Sequence, residues 1–161
     1  MQLSLRSVER TDGDALHAIF IEPGVRRYLF DDVLLTRAET QAHVEAACEH
    51  GAWVILRDGA VAGLVSLRPV GGERELVIVV AERHWGTGLA FAAAEAAMRR
   101  GFEVLGLSRI TAVVDLPNER SHRLMLRLGF VPIGERDGEK YRHRTYVAVS
   151  AAASSTSSTR S

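Results

Sequence analysis

One short turn constrains the fold of this 161-residue chain more than any other feature. Gly86-Thr87-Gly88 separates a dense apolar segment, residues 75–80, from an alanine-rich run that continues to about residue 105. The apolar segment predicts a buried strand and the alanine run predicts a helix. Because the first N–H groups of a helix lack partners within it, they form an anion site with the helix dipole. Glycines keep side chains away from that site, so the turn predicts a phosphate cradle.

Cap and turn signals divide the rest of the chain into strands and helices. Capping boxes are predicted for Thr11 with Asp14 and for Thr36 with Glu39, and hairpin turns for Asp58-Gly59 and Asp137-Gly138. The resulting order is strand, helices, three antiparallel strands, long helix, strand, helix and hairpin. This order predicts an α/β (α+β) fold, with a mixed, mostly antiparallel sheet of about seven strands and helices on both faces.

Composition limits the classes of partner and compartment. The formal net charge is zero, which gives no bulk electrostatic argument for nucleic acid or an anionic membrane. No apolar run reaches the roughly 18 residues of a membrane span, and the N-terminus does not resemble a signal peptide. We therefore expect a cytoplasmic protein with one domain over residues 1–149 and a flexible, low-complexity tail over residues 150–161.

Familiar phosphate and metal motifs do not match the chain. The glycine turn lacks the Gly-Lys-Ser/Thr ending of a P-loop, and a dinucleotide fingerprint would need glycine where Phe91 stands. His43, Cys48 and His50 match no common zinc spacing, so no metal is expected. Cys48 is the only cysteine, which excludes an intrachain disulfide.

The residues around the turn resemble a known superfamily. Residues 83–88, Arg-His-Trp-Gly-Thr-Gly, are similar to the Arg/Gln-x-x-Gly-x-Gly/Ala motif with which GNAT N-acetyltransferases bind the pyrophosphate of coenzyme A. Residues 103–130 resemble the strand, Asn-x-x-Ser helix and Leu-Gly-Phe ending that follow it. Residues 22–29 are similar to the branch containing ribosomal-protein N-terminal acetyltransferases. The resemblance implies acetyl transfer from acetyl-CoA to a primary amine, of a peptide or protein N-terminus or of a small molecule.

The resemblance also implies a site. In the superfamily two middle strands splay apart, and the pantetheine chain enters between them like an added strand. The coenzyme-binding residues implied are Val79, Val80, Ala81, Arg83, His84, Trp85, Gly86, Thr87, Gly88, Leu89, Ala90 and Asn118.

Catalytic roles are implied for three residues. Glu75 stands near a general base of parts of the superfamily, and a strand-end surface charge is the alternative. Asn118 and Ser121 match the Asn-x-x-Ser motif; Asn118 is also an N-cap candidate, and Ser121 is a candidate to protonate the leaving thiolate. Many members have a tyrosine acid where this chain has Met125, so Ser121, water or Tyr141 would have to substitute if an acid is needed.

The acceptor stays open at this stage. Arg27 and Tyr28 lie where the first helices of the superfamily cover the acceptor, and they are expected to influence its choice. At pH 7 about 14% of an α-amine is neutral, against about 0.04% of a lysine-like amine, so a weak base favours the α-amine. A homodimer is a further expectation from the resemblance. The alternatives are a catalytically weak acyl-CoA sensor and a plain interaction scaffold.

Overall fold

A computed structural model describes residues 2–152, so most of the predicted tail lies outside the described residues. Seven strands form one mixed sheet, which confirms the predicted strand number and sheet type, and their order in the sheet is β1-β2-β3-β4-β5-β7-β6. The strands are β1 Leu3–Ser7, β2 Gly51–Arg57, β3 Ala60–Val70, β4 Glu73–Val80, β5 Arg109–Asp115, β6 Val131–Arg136 and β7 His143–Val149. The α-helices are α1 Gly13–Phe20, α2 Pro23–Arg26, α3 Arg37–Ala47, α4 Leu89–Glu103 and α5 Glu119–Arg127.

The two faces of the sheet carry separate apolar layers. On one face, α1 and α3 bury residues such as Leu16 and Val44 against β2, β3 and β4. On the other, α4 and α5 bury Leu89, Ala93 and Met125 against the centre of the sheet. The small alanines of α4 let its backbone approach the sheet closely, and this fixes the position of its first turn.

One of the two predicted capping boxes is confirmed. Thr36 accepts the N–H of Glu39 at 3.1 Å through Oγ1, and the Glu39 carboxylate accepts the N–H of Thr36 at 2.8 Å. Thr11 is not a cap, and that prediction was wrong. A 3₁₀ turn precedes α1 and begins earlier, at Glu9, whose N–H donates to the Asp12 carboxylate at 2.7 Å.

The N-terminal helical region differs from the prediction of one helix over residues 12–30. It breaks at Pro23 as expected, but it then ends in a left-handed stretch. Phe30, Asp31 and Asp32 have φ values of 54°, 53° and 66°, a conformation that costs non-glycine residues free energy. Ion pairs from Arg26 at 3.7 Å and Lys140 at 3.2 Å hold Asp32 in place.

The two hairpin signals have different outcomes. Asp58-Gly59 forms the predicted tight turn, with φ values of 50° and 84°. Strands β6 and β7 also pair, but residues 137–142 connect them and no two-residue turn forms at Asp137-Gly138. This connection is fastened elsewhere, because Tyr141 packs against Tyr28 with ring centroids 5.5 Å apart.

Candidate active site

A cleft opens where the two central parallel strands separate. Strands β4 and β5 are joined at the single register pair Glu75–Thr111 and then diverge, as the resemblance implied. The cleft has a volume of about 1520 Å³ and lies between β4, β5, α2 and the first turns of α4 and α5. Val77 and Ile78 are therefore half-buried, although their apolar run predicted burial on both faces. The missing neighbour strand leaves room for an extended ligand.

Backbone groups of β4 face this gap. Ala81 already donates its N–H to a β3 carbonyl at 2.9 Å. The backbone N–H and C=O groups of successive residues alternate in direction along an antiparallel pair. Those of Val79 therefore also point towards β3, whereas those of Ile78 and Val80 point into the gap. The positions suited to an added strand are thus Ile78 and Val80, and not Val79 or Ala81. The sequence missed Ile78 because the β3–β4 register cannot be read from one strand.

The glycine turn is open. Gly88 is the N-cap of α4 with φ +82°, and Gly86 has φ +74°. A Cβ at either glycine would meet no atom within 4 Å. Thr87 stabilises the turn by donating its hydroxyl to the His84 carbonyl at 2.6 Å. The N–H groups of the first turn, including those of Leu89 and Ala90, therefore begin at an unobstructed surface, which fits a diphosphate.

Trp85 connects the turn to both sides of the cleft. Its indole N–H donates to the Val80 carbonyl at 2.9 Å. The guanidinium carbon of Arg120, on α5, lies 3.6 Å from the centroid of its ring. Gly24 of α2 is so close that a Cβ there would lie 2.7 Å from the indole. Trp85 thus packs between α2 and α5.

The side chains of His84 and Arg83, just before the glycine turn, contact β2 and β3. His84 Nδ1 lies 2.9 Å from the Arg57 guanidinium, which donates to it. Burial, and then the charges of Arg83 and Arg57, lower the pKa of His84, so its ring is neutral at pH 7. Arg83 donates to the Val61 carbonyl at 3.2 Å, which directs its side chain towards β3.

Asn118 and Ser121 form a linked pair at the start of α5 on the cleft wall. Asn118 caps the helix by accepting the N–H of Ser121 at 3.4 Å, and its amide N–H donates to Ser121 Oγ at 3.0 Å. The hydroxyl proton of Ser121 is therefore available to another acceptor. Met125, one turn further, is buried against the same wall.

Glu75 lies where β4 and β5 part. It is 9% exposed, lines the cleft and lies on the same face as Val77. Arg68 donates to Oε1 at 3.1 and 2.8 Å, which leaves Oε2 without a donor among residues 2–152. Glu73, at the start of the same strand, pairs with Arg109 at 2.9 Å.

A second carboxylate group was missed by the sequence reasoning. Asp115 lies four residues beyond Thr111 on β5, and so on the same face of the sheet as Glu75. Burial, and then the charge of Asp31, raise the pKa of Asp115. Asp31 and His143 also line this end of the cleft. The alternation of β5 places Asp115 on the same face as Thr111, but only the β4–β5 register shows that Thr111 lies beside Glu75, so the sequence indicates neither Asp115 nor Asp31.

The remaining predicted residues lie at this same end. Arg27 and Tyr28 line the cleft, beside the left-handed stretch that carries Asp31. Among residues 2–152, no group of three histidine, cysteine or acidic side chains is placed to hold a metal ion. A search of the same residues finds no helix with the length and hydropathy of a membrane span.

Comparison with known proteins gives consistent similarities. Residues 2–131 match the family model of the acetyltransferase (GNAT) domain. Spermidine N(1)-acetyltransferase of Escherichia coli is 33% identical over 140 residues, which cover 83% of this chain and 75% of that protein. The uncharacterized N-acetyltransferase p20 of Bacillus licheniformis is 29% identical over 155 residues, covering 89% and 87%.

Solved structures share the fold. A GNAT-family acetyltransferase from Bacillus anthracis superposes with a TM-score of 0.82 at 21% identity, covering 92% of this chain and 95% of that one. Spermidine N-acetyltransferase from Vibrio cholerae, in complex with CoA and spermine, superposes with a TM-score of 0.77 at 22% identity and the same coverage.

Proposed function

This chain belongs to the GNAT acetyltransferase family and is an acetyl-CoA-dependent N-acetyltransferase, and we propose that its acceptor is a polyamine of the spermidine type. The carboxylates along one wall of the cleft carry this proposal. The similarity of this chain to spermidine N(1)-acetyltransferase of Escherichia coli supports the same acceptor class.

The carboxylates suit an extended polycation. Glu75 lies at the narrow end of the cleft, where β4 and β5 meet, and Asp115 lies at the wide end. Asp115 is four residues beyond Thr111, the register partner of Glu75, which separates the two carboxylates by about 13 Å along the strand direction at roughly 3.3 Å per residue. Asp31 faces Asp115 from the left-handed stretch. A polyamine carries protonated amines separated by flexible methylene chains. One cation can therefore contact Asp115 and Asp31 while another amine lies nearer Glu75.

The glycine turn and β4 are proposed to hold acetyl-CoA. Its diphosphate would accept the N–H groups that follow Gly86 and Gly88, including those of Leu89 and Ala90. The pantetheine amides would pair with the backbone of Ile78 and with the N–H of Val80, whose carbonyl already accepts the indole N–H of Trp85. An N–H in this row would also donate to the thioester oxygen when it becomes negative.

Two side chains are proposed to move protons. The neutral amine attacks the thioester carbonyl, and Oε2 of Glu75, which has no other donor among residues 2–152, accepts the amine proton directly or through water. The C–S bond breaks, and the hydroxyl of Ser121 passes its proton to the departing thiolate while it takes up a proton from solvent water, so that the serine ends the step as a hydroxyl. Asn118 orients that hydroxyl by donating to its oxygen. Ser121 therefore substitutes for the tyrosine that Met125 replaces.

A peptide or protein α-amine is the second candidate acceptor, as in the ribosomal-protein branch that residues 22–29 resemble. One observation favours it, because Arg68 occupies one oxygen of the proposed base. An α-amine is about 14% neutral at pH 7 and so needs a weaker base than a polyamine.

A homodimer stays a prediction, to be tested by sedimentation at several protein concentrations.

An acceptor panel tests the proposal. Release of CoA is measured with spermidine, spermine, a monoamine and a short peptide with a free N-terminus. We expect kcat/KM for the polyamines to exceed that for the monoamine by about 100-fold, because only polyamines bring a second cation to Asp115. A higher value for the peptide would overturn the polyamine assignment and support the α-amine.

Replacing Ser121 by alanine is expected to lower kcat about tenfold and leave KM for acetyl-CoA unchanged, since the hydroxyl acts only as the thiolate leaves. Ser108→Ala, at an exposed serine before β5, is the matched control. Steady-state kinetics distinguish the two. If Ser121→Ala keeps the wild-type kcat, water or another group protonates the thiolate.

A further inference from the structure

Three arginines follow one face of α5. Arg120, Arg123 and Arg127 are spaced by three and four residues, which places them above one another on the helix. All three are exposed and line the cleft that contains Gly86 and Gly88. Their row extends about 10 Å along the helix at 1.5 Å per residue.

Contacts with α4 and its preceding turn position this row. Arg120 lies over the ring of Trp85, the residue before Gly86. The guanidinium carbon of Arg127 lies 4.7 Å from the ring centroid of Phe91, in the first turn of α4. Arg123 stands between them on the same face.

None of the three arginines has a carboxylate within ion-pair distance among residues 2–152. Arg99, which is exposed on the neighbouring helix, in contrast pairs with Glu95 at 3.5 Å. No ion pair within the described part of the chain therefore neutralises the charge of the row. It faces the anion cradle at the start of α4.

Coenzyme A carries two separate phosphate groups, a diphosphate and a monophosphate on the 3′ position of its ribose. Neutral amides at the glycine turn suit the diphosphate, which leaves the 3′-phosphate to be recognised by other groups. We propose that Arg123 and Arg127 bind the 3′-phosphate and select coenzyme A over its 3′-dephospho form. Guanidinium groups match phosphate oxygens in geometry as well as charge. Arg120, nearest the turn, adjoins the diphosphate.

The inference rests on the proposed position of the diphosphate at Gly86 and Gly88, and not on the identity of the acceptor. Binding can therefore be measured without turnover. Isothermal titration compares CoA with 3′-dephospho-CoA for wild type, the double variant Arg123→Gln/Arg127→Gln, and the control Arg136→Gln. Arg136 is exposed on β6 and has no ion pair among residues 2–152.

Wild type and Arg136→Gln are expected to bind CoA at least tenfold more tightly than 3′-dephospho-CoA, about the value of one charge-assisted contact. The double variant is expected to bind both ligands with the wild-type affinity for 3′-dephospho-CoA. Thermal unfolding without ligand checks that it folds.

Two results would overturn the inference. The first is equal affinity of wild type for the two ligands. The second is an equal loss of both affinities in the double variant, which would assign the arginines to the diphosphate. An incorrect diphosphate site would give a different result from an incorrect 3′-phosphate site, because CoA binding would then be unchanged in a Gly88→Glu variant.

Discussion

Replacing Gly88 by glutamate is expected to weaken acetyl-CoA binding by more than about 100-fold without unfolding the protein. Gly88 is the N-cap of α4 and its φ is +82°, so a side chain there projects from the turn at which the diphosphate is proposed to bind. The added carboxylate would repel the diphosphate, and it would accept hydrogen bonds from the N–H groups that are proposed to bind the diphosphate. The left-handed conformation adds a cost of about 1–2 kcal/mol to folding.

A matched variant separates the strain from the loss of the cradle. Gly72, in the turn between β3 and β4, has φ +81° and no atom within 4 Å of an added Cβ. Gly72→Glu therefore carries the same strain and the same charge away from the cleft. Isothermal titration and thermal unfolding are measured for both variants. Acetyl-CoA binding by Gly88→Glu within threefold of wild type would refute the proposed diphosphate site.

The sequence was sufficient for features that depend on local physics. A glycine turn before an alanine-rich run, an N-cap with its capping-box partner, and an Asp-Gly turn between apolar strands each determine a short segment by themselves. Gly88, Thr36 and Asp58-Gly59 are of this kind, and the structure has them as predicted. The succession of seven strands along the chain followed from the same signals.

Features that depend on register could not be predicted from the sequence. Ile78 faces the gap only because of how β4 pairs with β3, and Asp115 shares a wall with Glu75 only because Thr111 is the register partner of Glu75. The position of Asp31 is still harder to predict from the sequence. Its left-handed backbone is stabilised by ion pairs of the neighbouring Asp32, one of them with Lys140, 108 residues further along the chain. Local propensity at Asp31 favours another conformation.

The incorrect Thr11 prediction has the same cause. Thr11 with Asp14 has the correct spacing for a capping box. However, Arg6 on β1 holds the Asp12 carboxylate at 2.8 Å, and Asp12 then accepts the N–H of Glu9. A contact with the sheet therefore decides which residue begins the helical region.

Replacing Asp115 by asparagine is expected to lower kcat/KM for spermidine about 30-fold, because the second cation of the acceptor then lacks its half-buried partner. The value for a monoamine should change less than threefold, since that acceptor brings no second cation. Asp14→Asn, at an exposed aspartate of α1, is the control substitution. Equal losses for spermidine and the monoamine would show that Asp115 acts on the reacting amine or on the fold.

The pH profile tests the partnership of Asp115 with Asp31. Burial and the charge of Asp31 raise the pKa of Asp115, while the nearby His143 and His122 lower it. Protonated Asp115 cannot pair with a cation, so kcat/KM for spermidine falls as the pH decreases through this pKa. Replacing Asp31 by asparagine removes a like charge, and the pKa of Asp115 should decrease. The acidic limb of the profile should therefore move to lower pH than in wild type and Asp14→Asn. A limb that stays in place, or moves to higher pH, would contradict a polyamine site shared by these two carboxylates.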